Sequence, residues 1–126
     1  MSTAQATGVA ARFLDALAQS DFDGLAETFA VDGRLRGLVP SALREAEGRE
    51  AIAERFRIWN GDIDDFEVLD SEVADMEDVL RLRWRVRGVD PDDGLSVYEQ
   101  TAYASVGRDG IAWMNLVCSG PRPLDT

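Results

Sequence analysis

Between Val79 and Arg87 apolar and charged residues alternate without a break: Leu80, Leu82, Trp84 and Val86 on even positions, Arg81, Arg83, Arg85 and Arg87 on odd ones. A strand sends successive side chains to opposite faces, so this stretch predicts one strand with an apolar face and an arginine face. Upstream the spacing is helical. Val9, Phe13 and Leu17 recur at i, i+4 and i+8 with Ala6 and Ala10 alongside, which predicts a helix over 3–19 with Thr3 as N-cap. Asp21 can cap a second helix through about residue 30, with Leu25 and Phe29 as its apolar pair, and Asp32-Gly33 marks a turn. Leu35 to Val39 predicts a short strand stopped by Pro40, and 41–47 a loop. Ile52, Phe56 and Trp59 define a third helix over 49–59, ended by Asn60-Gly61. Strands follow at 65–74, 79–87, 96–106 and 111–118, with turns at 75–78, 88–94 and 107–110. Pro121 and Pro123 end regular structure, and 124–126 reads as a loose tail.

Helices grouped ahead of antiparallel strands indicate an α+β class rather than alternating βαβ units, with the helices covering one face of the sheet. The 126 residues suffice for a single domain, 1–126, with a real core. No apolar run approaches the ~20 residues of a membrane span, and Met1 to Gln5 carries no basic, apolar leader, so the expected compartment is the cytoplasm.

Charge sharpens the picture. Acids outnumber bases 24 to 13, and a net charge of −11 repels phosphate, so neither nucleic acid nor an anionic membrane is an expected partner. Nine of the acids fall between Asp62 and Asp78, where there is no base. All 13 bases are arginine; histidine and lysine are absent. Serine–histidine and cysteine–histidine nucleophile systems, Schiff-base lysines and histidine-ligated zinc are therefore excluded. Arginine stays protonated, so acid–base chemistry would fall to Asp, Glu, Tyr or Cys118. Asp90-Pro91-Asp92-Asp93-Gly94 lacks the later ligands of a calcium loop, Thr101 standing where the twelfth would be, and reads as a hairpin turn. No metal and no cofactor is expected. Cys118, the single cysteine, has no basic neighbour in sequence and reads as buried and inert.

Several short stretches, weak singly, recur together in a familiar order: Arg12-Phe13-Leu14, Asp21-Phe22-Asp23-Gly24-Leu25, Phe29-Ala30-Val31-Asp32-Gly33, Gly48-Arg49-Glu50-Ala51-Ile52, Leu82-Arg83-Trp84-Arg85-Val86 and Asp109-Gly110-Ile111-Ala112. In this the chain resembles the nuclear transport factor 2-like superfamily, the fold of SnoaL-like polyketide cyclases and ketosteroid isomerases. The resemblance implies a cone in which three N-terminal helices pack on the concave face of a curved, mainly antiparallel sheet. It also implies an apolar pocket inside the cone and a homodimer through the outer sheet face. The catalytic residues of these enzymes do not carry over. Phe13 stands near the isomerases' tyrosine, Arg34 to Val39 holds no acid where their base would be, and Ala102 or Ala104 stands where their second acid would be. The cyclases' histidine has no counterpart. The strand spans 79–87, 96–106 and 111–118 contain one acid in total, Glu99, where the related epoxide hydrolases use two aspartates and an arginine.

The residues themselves offer few candidates. Glu99 shares a strand face with Val97, Thr101, Tyr103 and Ser105, whereas Tyr98, Gln100, Ala102, Ala104 and Val106 share the other, smaller and more apolar face. That parity turns Glu99 outward toward the arginines and Tyr98 and Gln100 inward, where they could hold a ligand carbonyl. Catalytic residues stay unknown, with Tyr98 and Glu99 as the weak candidates. Phe13, Phe29, Phe56, Trp59, Trp84 and Met114 join Tyr98 and Gln100 as the expected pocket lining, and the arginine row pairs with the acids of 62–78. The expectation is a domain that binds a small apolar molecule in a closed cavity of a few hundred Å3 behind Trp84. Its alternatives are a cofactor-independent cyclase or isomerase acting on a hydrophobic carbonyl compound, and a dimerisation module.

Overall fold

The computed structural model describes residues 2–120, 122 and 123. Along the chain lie α1 (Thr3–Ala18), α2 (Phe22–Glu27), β1 (Phe29–Val39), β2 (Ala42–Glu47), α3 (Arg49–Asn60), β3 (Asp64–Asp75), β4 (Leu80–Asp90), β5 (Gly94–Gly107), β6 (Gly110–Cys118) and the dipeptide strand β7 (Arg122–Pro123). The sheet runs β2-β1-β6-β5-β4-β3, with β7 against β5. Every pairing is antiparallel except β1 with β6, which is parallel, so the curved sheet is mixed. The helices pack across its concave face, giving the expected α+β cone.

The arginine strand sits as its alternation requires. Leu80, Leu82, Trp84 and Val86 are buried, while Arg83, Arg85 and Arg87 are exposed and Arg81 is half-buried. Register places Glu67, Asp70 and Glu72 of β3 opposite Arg87, Arg85 and Arg83, and Glu99 of β5 opposite Arg85. Side chains opposite one another on one face are within reach. Ion pairs form at 3.2 Å for Arg87–Glu67, 3.0 Å for Arg81–Glu72, 2.8 Å for Arg85–Glu99 and 3.7 Å for Arg85–Asp70.

Behind the apolar face of β4 stands an aromatic cluster. Phe13 of α1 meets Phe29, Phe56 and Trp84 edge to face, with ring centroids 6.0, 5.6 and 5.6 Å apart. Phe13, Phe29, Phe56 and Met114 are 0% exposed and Trp84 1%. Edge-to-face pairs add about 0.5–1.5 kcal/mol each to the burial of the rings themselves.

Several local expectations are corrected. Residues 41–47 form not a loop but β2, which pairs with β1 across the turn at Pro40. Its polar composition hides a strand; what makes one is the partner, with Glu45 opposite Arg36 and Glu47 opposite Arg34. β1 begins at Phe29 rather than Leu35, and the second helix stops at Glu27. Asp32-Gly33 is no turn: the register against β6 shifts between Phe29 and Arg34, so Gly33 lies in a bulge of a continuing strand. A Cβ on Gly33 would stand 3.0 Å from two backbone carbonyl oxygens, Ala30 and Ile111. The turn at 88–94 shrinks to its tip because Gly88, Val89 and Asp90 continue β4. The cap of α1 is Ser2, whose hydroxyl accepts from the Gln5 N–H while the Gln5 side chain accepts from the Ser2 N–H. Pro123 does not end regular structure but pairs opposite Ser96 in β7. The loose tail at 124–126 and Pro121 lie outside the described residues.

Candidate functional site

At one end of the cone the ends of β1, α3, β4 and β6 and the first half of β5 border a half-open cleft of about 150 Å3. Its walls are Val39 and Pro40 at the end of β1, Trp59, Asn60 and Ile63 at and beyond the end of α3, Asp90 of β4, Tyr98 and Gln100 of β5, and Cys118 and Gly120 after β6. Trp59 reaches the wall because Gly37 leaves room: a Cβ there would stand 2.6 Å from the indole Cη2. Ile63 seats over Gly88 for the same reason, a Cβ there falling 2.2 Å from Ile63 Cγ2.

Two side-chain hydrogen bonds order the polar wall. Trp84 and Gln100 are direct cross-strand neighbours, and the Trp84 indole N–H donates to Gln100 Oε1 at 2.7 Å. The Tyr98 hydroxyl donates to Asn60 Oδ1. Tyr98, Gln100 and Asn60 are 7%, 3% and 2% exposed. Burial pushes the Tyr98 phenol well above its ordinary value, and the ionised forms of Cys118 and Asp90 push the same way. The phenol therefore stays protonated at neutral pH and acts as a donor, not as a base. Asn60 Nδ2, fully shielded, finds no acceptor among the described residues.

Of the expected lining, the structure brings Trp59, Tyr98 and Gln100 to the cleft. Phe13, Phe29, Phe56 and Met114 are packed in the core instead, and Trp84 touches the site through Gln100. The closed cavity expected behind Trp84 gives way to interlocked rings, because Phe13 fills the space between α1 and β4. Glu99 points away from the interior and binds Arg85 Nε at 2.8 Å. Cys118 is half-buried rather than buried, lines the cleft, and its Sγ accepts from the Gly120 N–H at 3.4 Å.

Sequence reasoning passed over Asn60 and Asp90. Asn60 had a signal: it lies at i+8 from Ile52 and i+4 from Phe56, a polar residue on an apolar helical stripe. Asp90 looked like turn chemistry, and turn chemistry it performs, since its Oδ1 accepts from the N–H groups of Asp92 and Asp93 at 2.9 and 3.1 Å. Its carboxylate is nonetheless the acid on the cleft wall. Among the described residues no group of three or more acids or cysteines could hold a metal ion, and no helix is long and apolar enough to cross a membrane.

Comparison with known proteins agrees with this architecture. The model of the SnoaL-like domain family matches residues 10–113. A protein from Xanthomonas campestris, provisionally named a polyketide cyclase, superposes with a TM-score of 0.70 at 20% identity, over 89% of this chain and 88% of its own. A nuclear transport factor 2-like protein from Burkholderia xenovorans gives 0.72 at 14% identity, over 94% and 92%. A protein of ketosteroid isomerase-like fold from Catenulispora acidiphila, in complex with trimethylamine, gives 0.70 at 14% identity, over 86% and 82%. A search of curated protein sequences finds no match.

Proposed function

Because the chain belongs to the SnoaL-like domain family, we propose that it is a small-molecule-binding member whose ligand sits in the cleft at the mouth of the cone. The observation that carries this reading is the cleft itself, with Trp59, Ile63, Val39 and Pro40 as an apolar wall and Tyr98, Asn60 and Gln100 as a buried polar one. Apolar walls with a few convergent polar groups are the usual make-up of small-ligand sites. An apolar cavity of about 150 Å3 takes up benzene, so the part of the ligand seated in the cleft is of about six to eight non-hydrogen atoms. Benzene-sized probes added to the protein should shift the Trp59 indole N–H resonance, and Cys118→Phe, which fills the cleft, should abolish the shift. Probes that move no cleft resonance would refute the reading.

One observation favours a second reading, a cyclase- or isomerase-type enzyme: the Asp90 carboxylate borders the same cleft as the protonated Tyr98 hydroxyl. Paired in this way a carboxylate removes a proton beside a carbonyl while the hydroxyl turns its one proton from Asn60 to the carbonyl oxygen. Exchange of the α-protons of a small ketone with solvent deuterium, lost in Asp90→Asn, would establish turnover; exchange at the uncatalysed rate would leave the binding reading.

The outer sheet face supports a homodimer as its partner. Leu38, Leu43, Val117 and Tyr103 are 52%, 49%, 56% and 43% exposed, and register sets Leu43, Leu38 and Val117 side by side across β2, β1 and β6. Sedimentation should show a dimer at micromolar concentration that Val117→Glu dissociates; a wild-type monomer would count against it.

A further inference from the structure

We propose that Asn60 is the ligand's anchoring residue, and that the cleft selects small non-anionic molecules carrying a hydrogen-bond acceptor, such as a carbonyl or ether oxygen. This rests on the reading of the cleft as a ligand site and goes beyond it by naming the group that recognises the ligand.

Asn60 ends α3 at 2% exposure and is one of the residues lining the cleft. Its oxygen is used by the Tyr98 hydroxyl, and its Nδ2 has no acceptor among the described residues. A buried donor left unmade destabilises the fold, so such a group in a native core calls for an explanation. Gln100 repeats the arrangement: its Oε1 is held by the Trp84 indole, which leaves its NH2 as the group it can offer to the cleft. Both amides are thus fixed oxygen-inward by aromatic donors, with donor ends left over on the same wall. A ligand acceptor would satisfy what the fold does not. Negative charge is disfavoured for a different reason. An anion would meet the Asp90 carboxylate across a cleft of about 150 Å3.

The test compares two probes of one shape, cyclohexanone and methylenecyclohexane, which differ in whether the exocyclic group accepts a hydrogen bond. Asparagine occurs only at Asn60 and Asn115 in the chain, so the two side-chain amides are distinguishable in a nitrogen-15 spectrum, and Asn115→Asp, an exposed position on the outer face, assigns them. The ketone should bind about fivefold to tenfold more tightly than the hydrocarbon, the worth of one net hydrogen bond. It should also move the Asn60 Nδ2 protons downfield while the hydrocarbon does not. Asn60→Asp keeps the acceptor for Tyr98 and removes the donor, and it should erase the preference. The wild-type amide shift gives the answer even if that variant does not fold. Equal binding of the two probes with the Asn60 amide unmoved would overturn the inference and leave the cleft a ligand site. Binding of neither would remove the ligand-site reading and this inference with it.

Discussion

Phe13→Ala separates a packed cone from a hollow one. The ring is 0% exposed and is met by three others at 5.6–6.0 Å. Truncation removes about 100 Å3 of side chain, which at about 24 cal/mol per Å3 of residual cavity comes to about 2.4 kcal/mol. Losing the transfer free energy of the ring adds about 2 kcal/mol, for a total near 4.4 kcal/mol, inside the range of about 3–5 kcal/mol for such changes. With an unfolding entropy of about 2.1 cal/mol/K per residue, that loss lowers the melting temperature by about 17 °C in a chain of 126 residues. Urea unfolding followed by tryptophan fluorescence measures it, with a slope unchanged from wild type so that the midpoint alone carries the effect. The new space should also take up benzene where wild type has none to offer behind Trp84. A loss under about 1.5 kcal/mol at constant slope would refute the argument, because a ring bordering an existing void forfeits little when removed.

Burial raises the Tyr98 phenol above its ordinary value of 10.0. Above that pH the unfolded chain releases the proton while the folded chain holds it, so stability is level below about pH 10 and falls as pH rises beyond. The Tyr98→Phe variant should lose that part of the alkaline decline, and an unchanged pH profile would contradict it. The same variant leaves the buried Asn60 oxygen without its donor and should lose about 1–3 kcal/mol at neutral pH by urea titration. Gly37→Ala should push Trp59 off its seat, seen as a red shift of its emission and weaker probe binding, since the new Cβ would stand 2.6 Å from the ring. Glu99→Gln should leave probe binding unchanged, because Glu99 bonds to Arg85 on the outer face; loss of binding would place it in the site after all.

What could be read ahead of the structure was what lies within one element. The β4 alternation settles which faces are wet, because the pleat has a period of two and leaves no freedom. The same parity places Tyr98 and Gln100 inside and Glu99 outside, as found. β2 could not be read this way: Ala42 to Glu47 contains no β-branched residue, and its conformation follows from pairing with β1. The cleft is harder still. It is bounded by residues from five elements, and volume is a property of how those elements meet. Aromatic spacing identifies the rings without saying whether they face one another or a void, and here Phe13 turned the expected cavity into a core.

The separation of that aromatic cluster from the mouth has an evolutionary consequence. Residues that hold the cone closed and residues that would meet a ligand are largely separate sets, joined through the Trp84–Gln100 bond and the edge-to-face contact of Phe56 with Trp59 at 5.4 Å. Substitutions at Val39, Ile63 or Cys118 can reshape the mouth while the packing around Phe13 stays intact, and changes at sites without shared partners combine additively. A lineage built on this cone could exchange one small ligand for another in single steps, each tolerated by the fold, with Asn60 the position where drift would be least free.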